Sequence, residues 1–67
     1  MTVECFVSEP GKPPRVFKFL RVPRVGESVT LSGRADPLIV GSIVHFARPE
    51  EDDPGPTIQI FLRAQSH

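Results

Sequence analysis

The stretch R-V-F-K-F-L-R-V-P-R-V-G-E-S-V-T-L (residues 15–31) decides the fold. Its first half alternates, with Phe17 and Phe19 on one face and Val16, Leu20 and Val22 on the other, as a strand of residues 15–22 would place them. Pro23 then stops a hydrogen-bonded ladder, and Gly26 supplies a residue that tolerates positive φ. A second alternation follows in residues 28–32, with Val29 and Leu31 opposed to Ser28, Thr30 and Ser32. The segment therefore reads as a strand, a bend at a Pro-x-x-Gly corner, and another strand.

Working outward, the same period-two pattern marks three more strands. Residues 2–8 set Val3, Cys5 and Val7 against Glu4, and residues 57–63 set Ile58, Ile60 and Leu62 against Thr57, Gln59 and Arg63. Residues 38–48 (L-I-V-G-S-I-V-H-F-A-R) are apolar almost throughout. Eight Pro and five Gly separate these runs, and the longest stretch free of both is residues 57–67. Pro costs about 3 kcal/mol inside a helix and Gly about 1 kcal/mol, so no long helix fits and a helical bundle is excluded. Residues 9–14 and 33–37 suit hairpin turns, while residues 48–56 form a longer, acidic, Pro-rich connection.

With 67 residues the chain is long enough for one small domain. A flat five-stranded sheet would leave two edges and a bare face, so the expected fold is all-β, a five-stranded, strongly bent small barrel. Its expected core is Val3, Cys5, Val7, Leu20, Val29, Leu31, Val40, Val44, Ile58, Ile60 and Leu62. Domains of this size bury roughly 60% of the surface their unfolded chains expose and commonly need a disulfide, a metal or a second copy. The single Cys5 excludes an internal disulfide. No apolar run approaches the ~20 residues of a membrane span, and the N-terminus lacks a signal-peptide pattern, so a reducing, cytoplasmic setting without membrane contact is expected.

The run V-G-E-S-V-T-L (residues 25–31), followed by L-I-V-G-S-I-V (residues 38–44), resembles the V-G-[DE]-x-V-x-L … V-x-x-V signature of SH3-like barrels. The resemblance covers about a third of the chain and implies a fold in which the Gly-acid pair turns into a strand that curls at small residues. SH3 peptide binders grip polyproline ligands with surface Tyr and Trp; this chain has neither, so that mode of recognition is not expected.

A five-stranded barrel has one inside, yet the second and fourth strands carry apolar residues on both faces. Phe6, Phe17, Phe19, Ile39, Ile43 and Phe61 exceed what the interior can hold. Strong coiling or loops would cover them within one chain; otherwise they form a patch that meets a second copy. Burying four such side chains contributes roughly 6–12 kcal/mol against association costs of ~4–15 kcal/mol. Small size and a formal charge of zero, eight Lys and Arg balancing eight Asp and Glu, favour self-association. The expected module is a non-enzymatic homo-oligomer joined through the outer faces of the fourth and fifth strands, with those six residues as its interface.

Zero net charge conceals a segregation. Lys12, Arg15, Lys18, Arg21, Arg24 and Arg34 face only Glu27 between positions 12 and 34, whereas Glu50, Glu51, Asp52 and Asp53 form an acidic block. Cations beside Phe17 and Phe19 are the ingredients of a single-stranded nucleic-acid platform, which makes residues 12–24 a candidate anion or nucleic-acid contact. Solvated Lys and Arg guarding an edge strand are the favoured account, because the overall charge is zero and the acidic block would repel phosphate. The acidic block lacks the alternating ligand spacing of a Ca²⁺ loop and reads as a hairpin tip. His45, in the most apolar strand, reads first as a structural or interface histidine, the alternative being a ligand pocket or enzyme site at an oligomer interface with Ser42, Arg48 and Gln59. No nucleophile elbow, phosphate loop or metal-ligand spacing occurs, so no catalytic residue, metal or cofactor is expected.

Overall fold

The computed structural model describes residues 1–47 and 55–65. Five strands form: β1 (Val3–Ser8), β2 (Arg15–Phe19), β3 (Ser28–Val29), β4 (Leu38–His45) and β5 (Ile58–Ala64). They make one sheet in the order β2-β1-β5-β4-β3, curled into a half-barrel, with no helix among the described residues. The all-β, five-stranded, bent architecture expected from the sequence is the one observed.

Two antiparallel units meet in the middle of this sheet. One is the β1–β2 hairpin, in register from Val3↔Phe19 to Val7↔Arg15. The other is the β3–β4–β5 meander. They join through parallel pairing of β1 with β5, Phe6↔Gln59 to Ser8↔Phe61. Consecutive strands β2 and β3 thus lie at opposite edges, and residues 20–27 carry the chain between them. The corner there is built as the sequence requires. Gly26 adopts φ 93°, Glu27 N–H donates to the Arg24 carbonyl at 3.0 Å, and Gly26 N–H donates to the Val40 carbonyl at 2.9 Å.

Cys5, Val7, Val29, Leu31, Leu38, Val40, Ile60 and Leu62 are the buried core, with Val3 and Ile58 packed at its margin. Two expected members are outside it. Leu20 is 86% exposed because β2 ends at Phe19, opposite Val3, where β1 offers nothing further to pair with. Val44 is exposed because β4 bulges: Val40 faces Leu62, but Ser42 faces Phe61, so Gly41 is skipped. One extra residue reverses the alternation. Leu38 and Val40 point inward before the bulge, and Ile43 points inward after it.

The orientation of β2 also corrects the sequence reading. Register sets Phe17 beside Cys5 and Phe19 beside Val3, so both phenylalanines pack against the core. Val16, 48% exposed, takes the outer face.

A Cβ at position 26 meets nothing within 4 Å, so Gly26→Ala strains only the backbone. It should destabilise by about 1–2 kcal/mol in denaturant unfolding, and Gly26→Asn, which tolerates this conformation better, by less.

Candidate functional site

Inward residues on β1 and β5 fix what lies outward. Cross-strand registers align one row over four strands: Val16↔Phe6, Phe6↔Gln59 and Gln59↔Val44. A second row runs Ser8↔Phe61 and Phe61↔Ser42. Val16, Val44, Phe46 and Phe61 are exposed. Phe46 is held beside the sheet by its N–H, which donates to the Thr57 carbonyl at 2.6 Å. Phe6 and Gln59 of the first row, together with Pro14 and Phe46, line a groove of about 310 Å³. Its polar member is already engaged, since the Gln59 side-chain amide donates to Ser8 Oγ at 2.9 Å. The result is an apolar surface on the side of the sheet away from the core.

Of the six expected interface residues, Phe6, Ile39 and Phe61 have outer-face register positions. Phe17, Phe19 and Ile43 instead lie against the core. The outer surface gains Val16, Val44 and Phe46, which sequence reading did not assign to it.

The basic segment is not a single strip. Arg15 Nη2 donates to Glu9 Oε2 at 3.2 Å, and Lys12 Nζ lies 4.0 Å from Glu9 Oε1. Arg21 Nη2 donates to Glu27 Oε2 at 2.8 Å, and the Arg24 backbone N–H donates to Glu27 Oε1 at 2.6 Å. Lys18 stands opposite Glu4 in the β1–β2 register. Arg15 lies over the Phe17 ring, 4.9 Å from its centroid, so the cation covers a ring that a nucleic-acid platform would offer to a base.

Glu9 is the residue that sequence reading missed. It continues the inward parity of Cys5 and Val7, and its side chain is 1% exposed. Besides Arg15 and Lys12 it accepts from Arg34 Nη1 at 3.2 Å, across 25 positions of chain. A buried carboxylate needs such partners. The period-two run Cys5-Val7-Glu9 beside a cation-rich hairpin was the signal available.

Burial alone would raise the Glu9 carboxyl, but hydrogen bonds from Arg34 and Arg15, with the charges of Lys12 and Arg15, hold it below the ordinary value. The hydrogen bond from Arg21, then that from the Arg24 backbone, brings Glu27 from 4.5 to about 2. Burial pushes the Cys5 thiol up, away from nucleophilic thiolate.

His45 is exposed at the end of β4, opposite Ile58. Ser42 and Gln59 belong to the outer face, so the three do not converge. Arg48 and the acidic block 50–53 lie outside the described residues. Among the described residues no three His, Cys, Asp or Glu side chains come together as metal ligands, and no helix is long and apolar enough to cross a membrane.

Comparison with protein-family models, with curated proteins and with solved structures finds no match for this chain.

Both glutamates have folded pKa values below their unfolded ones, so their stabilisation is complete above the unfolded value and lost as pH falls through the folded one. Glu27 should contribute full stability above pH 4.5 and lose it progressively toward about pH 2. Glu27→Gln should be less stable at neutral pH and show a shallower loss through that window, read by urea midpoints at successive pH values.

Proposed function

We propose that this protein is a non-enzymatic binding and assembly module that associates with a second copy of itself through the outer face of its sheet. The observation that carries the reading is the apolar surface of Phe6, Val16, Val44, Phe46 and Phe61 on the side of the sheet opposite the core. Soluble monomers seldom leave a large contiguous apolar patch uncovered. The interface is therefore assigned to the outer face of β1, β2, β4 and β5, with Ile39 toward its β3 end. Phe17, Phe19 and Ile43 serve the subunit interior.

Apolar β-surface on both sides of a short chain favours assembly over catalysis. His45 has no hydrogen-bond partner among the described residues to make it a general base. A nucleic-acid platform along residues 12–24 is disfavoured because Arg15 covers the Phe17 ring and Arg21 pairs with Glu27. A reducing, cytoplasmic compartment suits the buried free thiol of Cys5.

Sedimentation equilibrium at tens of micromolar should give a mass above the 7.4 kDa of one chain. Val44→Asp and Phe61→Asp, both at exposed positions, should each weaken association about tenfold or more, ~1.4 kcal/mol, with far-UV circular dichroism unchanged. A wild-type mass of one chain throughout that range contradicts the proposal.

A further inference from the structure

At the rim where the β1–β2 turn meets the β3–β4 turn, three cationic side chains gather on one carboxylate. Glu9 Oε2 accepts from Arg15 Nη2 and Glu9 Oε1 from Arg34 Nη1, each at 3.2 Å, and Lys12 Nζ lies 4.0 Å from Oε1. Among the described residues none of the three cations pairs with a second carboxylate. Positive charge is left uncompensated there, and so is hydrogen-bonding capacity. A guanidinium has five N–H donors, and each of these two directs one of them at Glu9.

The donors are also held in place before any ligand arrives. Arg15 is fixed between Glu9 and the Phe17 ring, 4.9 Å from the ring centroid. Arg34 extends from a turn closed by its own N–H, which donates to the Leu31 carbonyl at 3.1 Å, and its side chain is only 29% exposed. Lys12 and Arg15 remain more than half exposed, at 54% and 57%, so the cluster opens to solvent. Glu9 thus acts as the internal anchor that aims cations which would otherwise repel one another.

From this arrangement we infer that Lys12, Arg15 and Arg34 form a binding site for a phosphate-class oxyanion, free or as a monoester. A phosphate brings about two negative charges and three acceptor oxygens at neutral pH, which matches two oriented guanidinium groups and one ammonium. A carboxylate has one charge and two oxygens. Planar guanidinium donors favour bidentate contact with such an oxyanion, while the Lys12 ammonium serves as a mobile point charge at the open side. The site is distinct from the apolar outer face and does not depend on self-association.

The test is a nuclear magnetic resonance titration of the full chain with inorganic phosphate and, separately, with glycerol phosphate, each against sodium chloride of equal ionic strength. Saturable shifts confined to residues 9–15 and 33–35 are expected with at least one ligand, and the tighter of the two identifies the free or the esterified form. Lys12→Gln, at an exposed position, and Arg34→Gln should each weaken binding about tenfold, whereas Arg21→Gln at the opposite corner should not. Shifts that track ionic strength alone, or a saturable response unchanged by Lys12→Gln, overturn the inference.

Discussion

A curled sheet that does not close has two free edges, and something must hold the curl. Here the structure relies on the Glu9 carboxylate, whose side chain is 1% exposed. It leaves the end of β1 on the core side and takes Arg15 from the start of β2 and Arg34 from the turn between β3 and β4. Those partners belong to opposite edges of the sheet order. The cost of burying the carboxylate is offset only while both guanidinium groups stay in place, so the contact ties together parts of the chain that share no ladder. A second glutamate, Glu27, braces the link between β2 and β3 with Arg21 and the Arg24 backbone. Turns and links that hydrogen-bonded strand pairing leaves open are thus fastened by charge.

That division of labour shapes what the surface offers. Arg15 and Arg21, which look like a polyanion platform in the sequence, are each engaged in these fastenings, and Phe17 and Phe19 turn inward to enlarge a small core. On the opposite face Val16, Val44 and Phe61 remain exposed, set by register in adjacent rows. The face proposed for assembly and the Glu9 rim proposed for oxyanion binding are separate parts of the molecule.

Much of this was legible in the chain. Alternation located all five strands, and the hairpin turns and the Pro23–Gly26 corner followed from residues with restricted or permissive φ. Alternation could not say which way β2 faces, because Phe17 and Phe19 on one side and Val16 and Leu20 on the other are both apolar. Pairing with β1 decides that, and pairing is not written in the strand itself. Likewise Gly41 in an apolar run gives no warning of a bulge, yet the bulge sends Val44 outward and Ile43 inward. Glu9 was hidden for a different reason: a charged residue beside a turn is ordinarily solvated, and only the three-dimensional convergence of Arg15 and Arg34 makes its burial tolerable.

Amide hydrogen exchange in Glu9→Gln compared with the parent protein tests the central claim most directly. The account predicts faster exchange at two places distant in sequence, the start of β2 near Arg15 and the turn near Arg34, with the β4–β5 ladder still protected. Faster exchange confined to residues 9–12, with the turn near Arg34 unchanged, would contradict the view that this carboxylate holds the open sheet together.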